Sequence, residues 1–297
     1  MKYFLEISNI AAACENNPYE SKEKTLLTSW CRHKPKDALQ FLVNIGCIND
    51  LTNESYSDLQ KEVYKNMLPE DFDMKDTKKI EDKIISEYSK KRNHKETKEE
   101  VKALIDYTKD KIVKDHGNQQ EPILIKREKY RTGNDRMYYY EIGKNKNNDN
   151  KRVIGGKHDA TDDDIVIEIK TRTRKTNVRR NDYDIYQLIG YLLALNKTKG
   201  KIVQIFNKEK FDSDIPSDIE FGLVNIKEEP WKTLAYETIN KLNNYFDELE
   251  DIVEIGRFKY INSVIPLSIR PIGLYDNETK KIKDENVKFL KMLNFLN

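Results

Sequence analysis

The 297-residue chain has only three cysteines, Cys14, Cys31 and Cys47, and four histidines. The cysteines stand far apart, without a C-x-x-C pair or histidines at metal-site spacing. That excludes a zinc-finger pattern and a disulfide framework, and makes a reducing compartment the default. Long apolar runs are missing too: nothing approaches the roughly eighteen consecutive apolar residues of a membrane span. The opening MKYFLEISNIAAACENNPY breaks its short apolar runs with charge, unlike a secretory leader. The chain therefore reads as soluble, intracellular and not secreted. Neither charge dominates, since 53 Lys+Arg against 51 Asp+Glu leave a net +2. Affinity for a polyanion would have to come from local clustering.

A chain of this length can bury one large core or two modest ones. No internal repeat and no linker divides it, so it reads as one domain, 1–297, with a helical N-terminal part (1–115), a core (116–210) and a C-terminal part of open role (211–297). Ser8 and Ser21 are placed to cap helices beginning NIAAAC and KEKTLLTSW. The Lys- and Glu-rich stretch 56–114, with Val101, Leu104, Ile105 and Ile112 spaced along it, suits amphipathic helices. From Arg136 the period changes to two: MYYYEI, RVIGGKHDA and IVIEIKTR predict an antiparallel meander, followed by a helix from Tyr183 to Asn196 and a strand, KIVQIFN. That order implies a mixed sheet flanked by helices, an α/β (α+β) core. Beyond it, Trp231, Leu234, Thr238, Leu242, Tyr245 and Leu249 fall at helical spacing. Strand-like stretches around Pro266 and Pro271 follow, then a helix with Val287, Leu290 and Leu293.

The chemistry concentrates in Asp159-Ala-Thr-Asp-Asp-Asp-Ile-Val-Ile-Glu168-Ile-Lys170. Strand side chains alternate faces, so Glu168 and Lys170 emerge together while Ile165, Ile167 and Ile169 turn to a core. A turn centred on Asp162 and Asp163 would set Asp159 opposite Val166, diagonal to Glu168 and within about 7–8 Å, with Lys157 opposite Glu168. Two such carboxylates can close around a hard cation such as Mg²⁺, which keeps waters and phosphate oxygens in its other positions. Lys170 would then orient a nucleophile or offset developing charge. The residues alone leave a second reading open: an ordinary acidic turn beside an exposed Glu–Lys edge pair.

The surroundings add weight. The run GGKHDATDDDIVIEIKTR is followed, nineteen positions after Glu168, by Gln187 within YDIYQLIGYLLAL. It is preceded by Gly117-Asn-Gln-Gln-Glu121, which ends 38 residues before Asp159. Near the start stand Ser8, Asn17, Pro18, Tyr19 and Ser21. Together these elements resemble the PD-(D/E)xK nuclease superfamily, in its phage lambda exonuclease and viral recombinase branch, over roughly Ser8 to Asn196. The resemblance implies a restriction-endonuclease-like core in which Glu121, Asp159 and Glu168, with the carbonyl of Ile169, bind one or two Mg²⁺ or Mn²⁺ ions. It implies a catalytic Lys170, with Gln187 lining the site. Tyr183, Gln187 and Tyr191 recur at i, i+4 and i+8, one stripe of a helix, where the tyrosines either pack on the sheet or face the substrate. Departures fall on His158, where proline is usual, on Lys157, where a small hydroxyl is common, and on the basic residue before Ser8, for which Lys2 is the nearest candidate. They bear on recognition of a DNA 5′ phosphate more than on the metal site.

From Lys170 to Arg180 the chain carries six cations in eleven residues and no acid: Lys170, Arg172, Arg174, Lys175, Arg179 and Arg180. Such a segment suits phosphate contacts. Ser8, Lys157 and Tyr191 complete the expected DNA-facing set. The function this reading implies is a metal-dependent exonuclease on double-stranded DNA ends, serving viral or phage replication, recombination or repair in a host cell or virion. It would act with a recombination or replication partner or as a homo-oligomer, and without a membrane. The competing readings are an endonuclease or single-strand nuclease with the same centre, and a catalytically silent DNA-end-binding protein.

Overall fold

The structure is a computed structural model that describes residues 2–34, 121–133, 136–145, 149–172, 182–206, 218–220 and 222–260, with a few isolated positions besides. Two compact units divide the chain: Met1–Ala38 with Gln120–Val264, and Leu39–Gln119 with Ile265–Asn297. The two units interleave along the chain. The first unit contains both sheets described below. The amphipathic helices expected at 56–114 and the elements expected beyond residue 264 lie outside the described residues.

A strand opens the chain where only helix was expected. β1 (Lys2–Glu6) pairs in parallel with β4 (Lys151–Gly156), which pairs antiparallel with β3 (Tyr138–Lys144). Tyr3 and Leu5 are buried, the alternation of a strand, but five residues are too few to announce a parallel partner so distant in sequence. A 3-10 turn, Ile7–Asn9, then leads into α1 (Ile10–Ala13). Ser8 therefore sits within the turn, and the N-cap position falls to Asn9, which makes no side-chain cap bond. The cap expected at Ser21 is present, its Oγ accepting from the Lys24 N–H at 3.2 Å to open α2 (Lys22–His33).

The second sheet runs in the order β2 (Arg131–Thr132), β5 (Ala160–Asp162), β6 (Ile165–Arg172), β7 (Lys199–Phe206) and β8 (Asp218–Glu220). β9 (Val224–Asn225) also pairs with β7. β6 and β7 are parallel, connected through α4 (Asp182–Ala194), and the other pairs are antiparallel. This is the mixed α/β architecture the element order implied. The expected single meander needs correction, because its strands belong to two sheets: residues 157–159 carry the chain from β4 in one to β5 in the other.

The isoleucine face of β6 is buried as expected. Ile167 and Ile169 pack with Ala160, Val203, Ile205 and Leu124, the last from helical residues 121–128 (α3), and Ile165 lies against them. Each such side chain contributes about 1.5–3 kcal/mol of burial. α4 covers the opposite face, with Leu188 set close over Gly200 beside the Val166 backbone. The N-terminal turn seats on α4 at Gly190, where a Cβ would stand 2.4 Å from Ile10 Cδ1 and 2.9 Å from Ile7 Cγ2. α5 (Trp231–Ile255) buries Thr238, Leu242, Tyr245 and Leu249 of the row its spacing predicted, with Trp231 and Leu234 half-buried at its start. It ends at Gly256 with φ +64°, a left-handed cap that glycine adopts without strain. No described helix is long and apolar enough to cross a membrane.

Candidate active site

The geometry begins with one tight turn. β5 and β6 pair Ala160 with Ile167, Thr161 with Val166 and Asp162 with Ile165. The turn thus falls on Asp163 and Asp164, one residue later than expected, with Asp163 at φ +49°, a conformation that aspartate tolerates better than most residues. Continuing the register one step puts Asp159 opposite Glu168, where a diagonal had been expected. β5 has not started at that point, and the Asp159 side chain completes the edge: Oδ2 accepts from the Ile169 N–H at 2.7 Å. Asp164, exposed, pairs with Lys197 instead of facing the carboxylates. Lys157 is exposed as well, so the pairing expected between it and Glu168 does not form.

Lys170 takes that place. Its Nζ lies 2.6 Å from Glu168 Oε1 and donates to Gln187 Oε1 at 2.9 Å. Gln187 comes from α4, and its Nε2 reaches the Tyr191 hydroxyl at 3.4 Å. Tyr191 is 5% exposed, which leaves its ring no face for DNA; the expected DNA contact is a buried support of Gln187. His158, also buried, sits edge-on between Tyr138 (5.3 Å between ring centroids) and Tyr191 (6.5 Å). It is admitted by Gly133, where a Cβ would come within 2.1 Å of His158 Nε2. The residue that departs from the expected proline therefore packs the corner leading to Asp159.

Glu168 is 1% exposed, and its Oε2 has no hydrogen-bond partner among the described residues. Burial, followed by repulsion from Asp159, pushes its carboxyl up to about 8, against the pull of Lys170. Asp159, half-buried, is pushed up to about 6 by desolvation and by Glu121. Glu121, one helical turn before the core residue Leu124, is itself raised by burial and by Glu168. Burial works to lower Lys170, but Glu168 and Asp159 outweigh it and hold the ammonium above its ordinary value. The three carboxylates are thus electrostatically coupled around one lysine. Among the described residues, however, no three His, Cys, Asp or Glu side chains converge on a metal-sized point. The donor set still fits a hard divalent cation in kind. It offers carboxylate oxygens, one of them buried without a partner, and Mg²⁺ needs only one or two carboxylates beside waters and phosphate oxygens.

Two polar residues belong to this centre that the sequence reading passes over. Asp184, on the first turn of α4 and fully buried, raises both Glu168 and Lys170. Gln204, also fully buried, is the ladder partner of Lys170 on β7. A lone glutamine inside KIVQIF and an aspartate three residues before Gln187 were the available signals. Of the expected DNA contacts, Ser8 is exposed on its turn. Arg172 ends β6, and nothing is described of its side chain, while Arg174, Lys175, Arg179 and Arg180 lie outside the described residues.

No family model and no curated protein matches this chain. Among solved structures, the crystal structure of SSO0001 is similar at TM-score 0.36 and 17% identity, over 71% of this chain and 95% of that one. The alkaline exonuclease LHK-Exo from Laribacter hongkongensis is similar at 0.32 and 12%, over 48% and 68% of the two chains. A phage-related exonuclease from Haemophilus somnus 129PT is similar at 0.32 and 13%, over 47% and 72%. Likenesses this partial leave the fold to the topology above and the function to the side chains.

Proposed function

We propose that this chain is a divalent-metal-dependent deoxyribonuclease that hydrolyses phosphodiester bonds at the ends of double-stranded DNA. The observation that carries this reading is Glu168: a carboxylate 1% exposed, beside Asp159, with one oxygen bonded by Lys170 and the other without a partner among the described residues, has a desolvation cost that a bound cation would offset. Asp159 and Glu168 would hold the cation, Mg²⁺ or Mn²⁺, with Glu121 as a third carboxylate and the Ile169 carbonyl as a further oxygen. When bound, such an ion lowers the pKa of a water and offsets charge on the phosphoryl oxygens. Lys170, held protonated by its two acidic neighbours, acts as a donor that steadies the attacking water or the developing charge, and not as a base. Gln187 fixes the direction of that ammonium. Water is the nucleophile, without a covalent intermediate. The basic segment after β6 supplies phosphate contacts along the strand.

The test is one assay with two substrates, linear duplex and covalently closed circular DNA, in Mg²⁺ and then in EDTA. Release of nucleotides from the linear form alone, lost in EDTA and in Lys170→Ala, is the expected result. Cleavage of closed circles would make the protein an endonuclease with the same centre. Wild-type protein that cuts neither substrate, or a Lys170→Ala variant as active as wild type, would remove the assignment.

A further inference from the structure

Tyr19 is the most exposed large hydrophobic side chain among the described residues, with 79% of its surface in water, yet it is held in place. Its ring meets that of Tyr183 edge-to-face, at 5.9 Å between centroids and 89° between planes. Its N–H donates to Asn17 Oδ1 at 2.9 Å, and the same oxygen accepts from the Glu20 N–H at 3.2 Å. Tyr183 in turn lies four residues before Gln187 on α4, and Gln187 Oε1 receives the Lys170 ammonium. Residues i and i+4 share a helix face about 6 Å apart along the axis. Tyr183 therefore stands one helical turn from the side chain that positions the catalytic lysine, with Tyr19 packed against it.

We propose that Tyr19 and Tyr183 form a nucleobase-stacking subsite at the mouth of the active site, which receives a base of the strand being cut, within about four nucleotides of the scissile phosphate. The inference rests on the nuclease reading above and adds the part of the substrate that the centre's charged groups do not address. Successive bases in a strand are about 3.4 Å apart, so the roughly 6 Å helical rise from Gln187 to Tyr183, with the 5.9 Å from Tyr183 to Tyr19 beyond it, spans at most about four base steps. The surroundings favour a base over a phosphate: Glu20 is adjacent, and the nearby Lys24 is paired to it at 3.6 Å. Every base has a π-face, so the subsite tolerates any sequence, and an ordered ring loses little freedom when a base settles on it. Removing one base–aromatic stack weakens binding about 5- to 150-fold.

The experiment measures Mg²⁺-dependent kcat/KM on linear duplexes that are intact or carry one abasic residue at any of the last four positions of either strand. Full-length wild type, Tyr19→Ala and Tyr19→Phe are compared. One abasic position should slow wild type about 5-fold or more. Tyr19→Ala should be slowed comparably on intact DNA, through KM, and no further by that abasic residue, whereas Tyr19→Phe, which keeps the ring, restores the abasic penalty. Wild-type kinetics for Tyr19→Ala on intact DNA, or an abasic penalty that persists in it undiminished, overturns the subsite while leaving the nuclease standing. If wild type cleaves no duplex, the nuclease reading fails and the subsite falls with it.

Discussion

Gln187 accepts a hydrogen bond from the Lys170 ammonium at 2.9 Å, while the same ammonium lies 2.6 Å from Glu168. The glutamine is the neutral partner of the two, so it directs Lys170 without adding charge, and Tyr191 holds it from behind. Gln187→Ala frees one side of Lys170 and leaves the ammonium to the carboxylates. The expected result is a fall in kcat of about 10- to 100-fold with little change in KM, the size usual for residues that orient a catalytic group from outside. Steady-state kinetics on linear duplex read it, and an unchanged kcat would return Gln187 to packing.

Asp159 ties stability to pH and to cations. Its folded-state pKa, raised to about 6, exceeds the ordinary aspartate value, so between roughly pH 4 and 6 the folded chain binds a proton that the unfolded chain has released. A raised carboxyl pKa makes stability highest below the unfolded value, and that contribution is lost as pH rises through the folded one. In EDTA, thermal stability should therefore fall from pH 4.5 to 7 through this group. Asp159→Asn, whose side-chain oxygen can still accept from Ile169, should flatten the fall and be more stable at pH 7.5 by on the order of 1–3 kcal/mol. Millimolar Mg²⁺ should raise the wild-type Tm by mass action and leave the variant nearly unmoved. A wild-type Tm indifferent to Mg²⁺ counts against the cation.

The basic segment contributes through counterions. Taking away one cation that touches a phosphate should lower the slope of log affinity against log salt by about 0.9. Neutralising Arg172, Arg174, Arg179 and Arg180 together should weaken DNA binding and flatten its salt dependence, read by anisotropy titrations at several ionic strengths. Unchanged slopes would place the segment away from DNA.

How much of this is legible in the sequence depends on the range of the forces involved. The alternation in IVIEIKTR decides which residues of β6 face the core and which face the site, because a strand's period is local and its burial one-sided. The long apolar row of α5 and the Ser21 cap are readable for the same reason. The hairpin register differs by one residue from the expected one, since three consecutive aspartates, Asp162 to Asp164, offer two near-equivalent turns. What decides between them is partly tertiary: Asp159 bonding Ile169 and Asp164 pairing with Lys197. β1 escapes a sequence reading because its partner is β4, so distant along the chain that no local pattern announces the pairing. Asp184 and Gln204 escape it because a buried polar residue shows its purpose only once the neighbouring elements are in place.

The same long-range logic gives a stability test away from the active site. Arg152, on β4 and buried, donates through Nε and an Nη to the two oxygens of Glu250 on α5, at 3.1 and 3.2 Å, and its other bonds go to Asp247 and Asn243. Glu250 is 2% exposed, so the pair fastens α5 across the first sheet inside the protein. Removing one member of a buried pair leaves the other charge without compensation in a medium that solvates it poorly, which typically costs about 3–5 kcal/mol. Asp247 keeps part of the guanidinium satisfied and should hold Glu250→Ala near the lower figure. Replacing both partners with apolar residues of similar length, Arg152→Met with Glu250→Leu, removes the stranded charge and should recover much of the stability, although Asp247 then lacks its cation. Urea unfolding of the three proteins should show a lower midpoint for Glu250→Ala at an unchanged m-value, with the double variant closer to wild type. A single variant as stable as wild type would mean that water reaches Arg152 and that α5 is held by its apolar row alone.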